Sequence, residues 1–124
     1  MYILIDVSVK EWIVFTFFTQ TTQEVTRDDR SYRELLQAMD DALRANSFVP
    51  SDAQGIAVVL GEGSFTGTRM AATIANTFAY ARKIPVIGVT LEESKDLPSL
   101  IKKLVTSKGA LYISATYSAE PHIG

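Results

Sequence analysis

The residues that could do chemistry in this chain are few. Asp6 ends an apolar run, Ile3-Leu4-Ile5, and a carboxylate at a strand end is where a metal-dependent nuclease would begin its Mg²⁺ site. Glu34, Asp40 and Glu62 are the acids such a site could recruit. Against it, Gly61 stands at the end of the fourth apolar run, where a second carboxylate would be wanted. The 124 residues include no cysteine and one histidine, His122, in the terminal run Ser-Ala-Glu-Pro-His-Ile-Gly. Thiolate chemistry, a zinc ribbon and an iron–sulfur site are thereby excluded. A histidine triad would have to be built around a segment expected to be a solvated tail.

The second feature is a loop, Gly61-Glu62-Gly63-Ser64-Phe65-Thr66-Gly67, placed between an apolar run and a helix. Glycines let the backbone turn sharply, and a helix N-terminus presents unpaired N–H groups that favour an anion. As a nucleotide motif the loop is incomplete. A P-loop ends in Gly-Lys-Ser/Thr, which Arg69 does not replace, and a dinucleotide fingerprint needs glycine where Thr66 stands. Ser64 or Thr66 can instead simply cap the helix.

The elements that must position these residues follow from periodicity. Met1–Ser8, Glu11–Phe18 and Gln23–Arg27 are rich in β-branched and aromatic residues and read as a three-stranded meander. Tyr32, Leu35, Leu36, Met39 and Leu43 make the apolar stripe of a first helix, capped by Ser31 or Asp29. Ile56–Leu60 and Ile84–Val89 read as buried strands, with a second helix between them ending near Arg82-Lys83. Pro98 opens a third helix, Gly109 suits its C-cap, and Leu111–Thr116 reads as a last strand. The expected fold is α/β, a mixed sheet of order βββαβαβαβ, in one domain over 1–117 with a flexible tail over 118–124.

Met70–Ala81 of the second helix carries no charge, and a helix without a polar face is usually covered on both sides. At about 100° per residue, Met70, Ala71, Ile74, Phe78 and Ala81 are expected to face the sheet. The opposite face, Arg69, Ala72, Thr73, Asn76, Ala79, Tyr80 and Lys83, is expected to meet a partner. Its small residues allow close approach of another helix.

The run Gly61-Glu62-Gly63-Ser64-Phe65-Thr66-Gly67-Thr68-Arg69, then an alanine-rich helix and Ile84-Pro85-Val86-Ile87-Gly88-Val89, resembles the family of the bacterial tRNA threonylcarbamoyladenosine biosynthesis protein TsaB. Ile3-Leu4-Ile5-Asp6-Val7-Ser8 resembles that family's first strand, with Val7 in place of the usual Thr. Ser31 and Leu35-Leu36 stand where the family has a His-Ser motif and two leucines, and Tyr32 stands near the expected His. The resemblance runs from about Tyr2 to Val89, and the GSFTG-x-R segment is its specific part.

It implies half of an actin-like ATPase fold on a ribonuclease-H-like core, and a subunit that does no catalysis. It also implies pairing, through the first two helices of each partner, with the catalytic paralogue TsaD, which modifies adenosine 37 of tRNA. The ATPase TsaE joins that assembly. Family members usually continue into a second lobe, so the cleft that holds a nucleotide is expected to be missing here. No metal and no cofactor are expected on this chain alone, and tRNA is expected to be met only through the complex.

Composition leaves other readings open. A formal charge of −2 gives no excess of cations for gripping nucleic acid unaided. No signal or spanning segment is read, so the cytoplasm is the expected compartment. A metal-dependent nuclease of ribonuclease-H-like fold and a self-associating homodimer remain the alternatives.

Overall fold

The computed structural model describes residues 1–107. The expected strand at Leu111–Thr116, the Gly109 cap, His122 and the tail 118–124 lie outside the described residues. Five strands form one mixed sheet in the order β3-β2-β1-β4-β5. They are β1 (Tyr2–Asp6), β2 (Ile13–Phe18), β3 (Gln23–Asp28), β4 (Gly55–Val59) and β5 (Val86–Val89). The meander read from the sequence is present: β1 and β2 are antiparallel with Leu4 opposite Thr16, and β2 and β3 with Phe15 opposite Thr26. β4 lies parallel to both β1 and β5, with Ile56 beside Ile3 and Val86.

Strand alternation sorts the side chains into two layers. Ile3, Ile5, Phe15, Phe17, Ile56 and Val58 point to one face, where α1 (Leu35–Ala45) and α2 (Phe65–Arg82) pack. Leu4, Phe18, Ala57, Val59 and Val89 point to the other, covered by Leu100 and Ile101 of α3 (Leu97–Thr106). β4 is buried along its whole length, as its unbroken apolar run requires.

Polar caps open α2, α3 and the 3-10 turn that precedes α1. The Ser31 hydroxyl accepts the Arg33 N–H at 3.2 Å, opening a 3-10 turn, Tyr32–Glu34, that leads into α1. Asp96 accepts the Ser99 N–H at 3.2 Å, with Pro98 in the first turn of α3. The stripe expected on α1 needs one correction. Leu35, Met39 and Leu43 are buried together with Ala38 and Ala42, but Leu36 is 57% exposed. Two adjacent leucines lie about 100° apart, and only the first faces the sheet.

One ionic clasp ties the end of β3 to α1. The Arg30 Nε lies 3.0 Å from both Asp28 carboxylate oxygens, and its Nη1 lies 2.8 Å from Asp41 Oδ2. The guanidinium holds both carboxyls below their ordinary range, and they in turn hold Arg30 more firmly protonated. A carboxyl whose pKa is depressed by folding contributes stability that is full above its unfolded value, about 4. That contribution is lost as pH falls through the folded value. Arg30→Ala is therefore expected to melt a few degrees lower at neutral pH, and to lose less on further acidification below about pH 4 than the parent does. Thermal melts followed by circular dichroism across pH 2–7 check this; equal acid slopes would show that the clasp is idle.

Candidate functional site: the glycine loop and the outer face of α1 and α2

The glycine loop is built to seat α2 against the end of β1. Gly61 and Gly63 have φ of +88° and +90°, a region that costs other residues strain. A Cβ on Gly63 would also lie 2.5 Å from the Val7 carbonyl oxygen and 2.9 Å from Ser8 Cα. The loop thus runs flush along the chain leaving β1. Ser64 is the N-cap: its Oγ accepts the Gly67 N–H at 2.9 Å. Thr68 Oγ1 donates back to the Glu62 carbonyl at 3.2 Å, closing the loop on itself. Gly67 leaves room for the ring of Tyr32, which a Cβ there would meet at 2.7 Å. Phe65 is 48% exposed, with the Arg69 guanidinium 4.9 Å above its ring.

Asp6 accepts the Ser8 N–H at 2.8 Å and so shapes the β1–β2 turn. Asp40 is paired with Arg44 at 2.9 Å. No group of three or more His, Asp or Glu side chains able to hold a metal converges among the described residues. Asp6, Glu34, Asp40 and Glu62 are therefore not brought together into the carboxylate cluster that two-metal hydrolysis needs. A cleft of about 560 Å³ opens between Lys10-Glu11-Trp12 and the segment Asp29–Tyr32. Its hydroxyls at Ser31 and Ser64 already cap helices, and its Arg30 belongs to the clasp.

The faces of α2 differ from expectation. Gly67, Thr68, Ala71, Ala72, Ala75 and Ala79 form the buried stripe, and Ala72 and Ala79 are only 3% and 1% exposed. These two alanines are core residues, not partner residues. The physical reason is complementarity of bulk: the sheet supplies Ile3, Ile5, Phe15 and Val58, so the helix can approach only with its smallest side chains. Met70, Ile74 and Phe78, expected on the sheet, are half-buried along the flank, and Ala81 is exposed. Phe78 and Ala81 share an apolar notch with Leu36 and Leu43 of α1. Arg69, Thr73, Tyr80 and Lys83 are exposed as expected, joined by Thr77. Asn76 is half-buried. Sequence reasoning missed Leu36 and Thr77 on this outer surface; the signal for Leu36 was the Leu35-Leu36 pair itself.

A family model described as TsaD, tRNA N6-adenosine threonylcarbamoyltransferase, matches residues 26–94, more than half of the chain. The chain belongs to that family. Two solved structures share its architecture. YeaZ from Pseudomonas aeruginosa superposes with a TM-score of 0.62 at 24% identity, over 72% of this chain and 44% of that one. A protein described as uncharacterized, with similarity to peptidase YeaZ from Pseudomonas aeruginosa, gives 0.62 at 25% identity, over 88% and 50%. This chain thus spans half or less of the length of either structure. It is TsaB-like, and its mixed sheet is the ribonuclease-H-like half of the actin-like fold. No helix among the described residues is long and apolar enough to cross a membrane.

The reassigned faces make a direct expectation for this TsaB-like domain. Ala79→Glu buries a charge against the sheet, at several kcal/mol, and should abolish cooperative unfolding. Thr73→Glu, on the exposed side, should change stability by no more than about 0.5 kcal/mol. Urea unfolding of both variants decides it; a folded Ala79→Glu variant would restore the original assignment of faces.

Proposed function

We propose that this chain is a non-catalytic partner of a TsaD-type catalytic subunit in the threonylcarbamoyl modification of adenosine 37 of tRNA, held to it through the outer faces of α1 and α2. One observation carries the reading. The exposed face of α2 is uncharged between Arg69 and Arg82, with Tyr80 78% exposed, and Leu36 of α1, 57% exposed, stands across a notch from Phe78 and Ala81 whose edge carries Asp40 and Arg82. Tyrosine is among the residue types enriched at the energetic centres of protein contacts, and Tyr80 directly precedes the notch residue Ala81. Membership of the family and the TsaB-like fold support a TsaD-type subunit as that partner. Contact with tRNA and with a TsaE-type ATPase is made through that complex, in this reading.

The glycine loop supports a structural role over nucleotide binding by this chain alone. Its Ser64 hydroxyl and Gly67 N–H satisfy one another, and Gly63 is pressed on β1, so the loop is committed to seating the helix. The carboxylate that begins β1's turn is likewise committed, to the Ser8 N–H.

Two measurements test the proposal. Co-expressed with the TsaD-type protein of the same organism, the chain should elute as a complex. Tyr80→Ala should weaken that complex by roughly 2 kcal/mol, about thirtyfold in Kd, with the circular dichroism unchanged. Wild-type affinity for Tyr80→Ala would remove this face from the contact. Separately, Asp6→Asn keeps an oxygen to accept the Ser8 N–H, so tRNA modification by the reconstituted complex should stay within about twofold of the parent. A loss of a hundredfold or more, the scale of a removed acid–base group, would place catalysis on this chain.

A further inference from the structure

We propose that the cleft beside the β1–β2 turn is a binding site for an organic cation, an ammonium or guanidinium group on an aliphatic stem. Trp12 and Tyr32 supply its aromatic walls, and Glu11 and Asp29 its carboxylates. The site is separate from the contact proposed above for α1 and α2, since none of its lining residues borders the notch between those helices.

The sheet builds the two walls. Ile13 and Asp28 are the last residues paired between β2 and β3 at this end, so Trp12 and Asp29 leave the sheet from adjacent strands, about 5 Å apart. On one side the chain turns sharply, with the Trp12 N–H donating to the Val9 carbonyl at 3.1 Å and Glu11 at a φ of +69°. On the other, Arg30 is held by Asp28 and Asp41, and Ser31 opens the turn that carries Tyr32. Tyr32 packs against the core, with Gly67 making room for its ring. Both walls are thus fixed by contacts within the chain, which lowers the cost of ordering them around a ligand.

The chemistry left over in the cleft favours a cation. The Arg30 guanidinium is shared between Asp28 and Asp41, and the Ser31 and Ser64 oxygens each accept a backbone N–H. What remains is Lys10 against Glu11 and Asp29, and among the described residues none of the three has an ion pair. Glu24, Glu34 and Glu62 are unpaired there too; Glu11 and Asp29 differ in lining one cleft together with two aromatic rings. Trp12 is 41% exposed, so its ring is open to a ligand. An aromatic face attracts a cation, tryptophan most strongly, and a carboxylate adds charge-assisted hydrogen bonds to ammonium or guanidinium. A phosphate would meet one free cation and two repelling carboxylates. The volume, about 560 Å³, lies within the range of small-ligand sites, roughly 300–1,000 Å³.

Trp12 is the only tryptophan of the chain, so indole fluorescence of the full-length protein reads the cleft directly. At constant ionic strength, butylguanidinium should change that emission saturably, and butylurea, its uncharged counterpart, should not. Glu11→Gln/Asp29→Asn should weaken butylguanidinium roughly fivefold with the circular dichroism unchanged, and Lys10→Gln should tighten it roughly twofold. A capped peptide holding one arginine distinguishes the sources of the cation. Binding about tenfold tighter than butylguanidinium assigns the site to a protein side chain, and binding no tighter assigns it to a free small cation. No saturable binding of butylguanidinium, by fluorescence and by calorimetry, overturns the proposal. Butylguanidinium binding that the folded double variant leaves within twofold also overturns it. A saturable response to inorganic phosphate or AMP that Lys10→Gln abolishes overturns it in favour of an anion site.

Discussion

The fit of a helix almost without bulk onto a sheet made of bulk is the interaction on which the rest of this domain depends. Ala71, Ala72, Ala75 and Ala79 share one core with Ile3, Ile5, Phe15, Ile56 and Val58, and α2 descends close to β4 and β5. Close descent is possible only if the chain before the helix also runs tightly. Gly63, with no Cβ to strike the Val7 carbonyl, and Gly67, flush with the Tyr32 ring, provide that. The motif loop and the alanine stripe are therefore two parts of one packing solution. Dense packing leaves little room for either to change alone.

That solution also decides what the outer surface looks like. Once the small residues are turned inward, the larger uncharged ones have nowhere to go but the flank and the outside. Ile74 and Phe78 pack at the margin of the core, Phe78 sharing a notch with Leu36 and Leu43 of α1, and Tyr80 stands clear of the domain. An uncharged helix in this setting is amphipathic in size instead of polarity. Its exposed side is apolar and hydroxylic because its buried side has used the alanines.

Much of this was legible in the sequence. The five strands were read within two residues at most ends, because β-branched and aromatic runs interrupted by Thr19–Thr22, Pro50–Asp52 and Gly61–Gly67 leave few alternatives. The cap at Ser64 and the role of Pro98 were also legible, since each is a local matter of one side chain and one N–H group. The faces of α2 were not. Periodicity shows which residues share a side, but hydrophobicity alone assigns the bulkier side to the core, and here Ala won over Ile74 and Phe78. Which side faces inward was settled by the volumes of the sheet residues, which are distant in sequence. Leu36 was misplaced for a related reason: adjacent leucines cannot both face inward, and sequence does not say which yields.

The distribution of charge bears on the proposal of a subunit that acts by contact. Several of its carboxylates are already engaged in holding the chain together: Asp6 at the Ser8 N–H, Asp28 and Asp41 on Arg30, and Asp52 at the Val49 N–H. Asp96 accepts the Ser99 N–H, and Glu93 binds Lys103 while accepting the Thr90 N–H. Acid–base catalysis asks for the reverse, a carboxyl kept out of such contacts and tuned toward neutrality by burial or by a second acid. Asp28, Asp41 and Glu93 are instead shifted downward by their cations, which makes them poorer proton carriers near neutral pH. The exposed groups on the α2 face are cations and a tyrosine, residue types that the proposed contact with another protein would use.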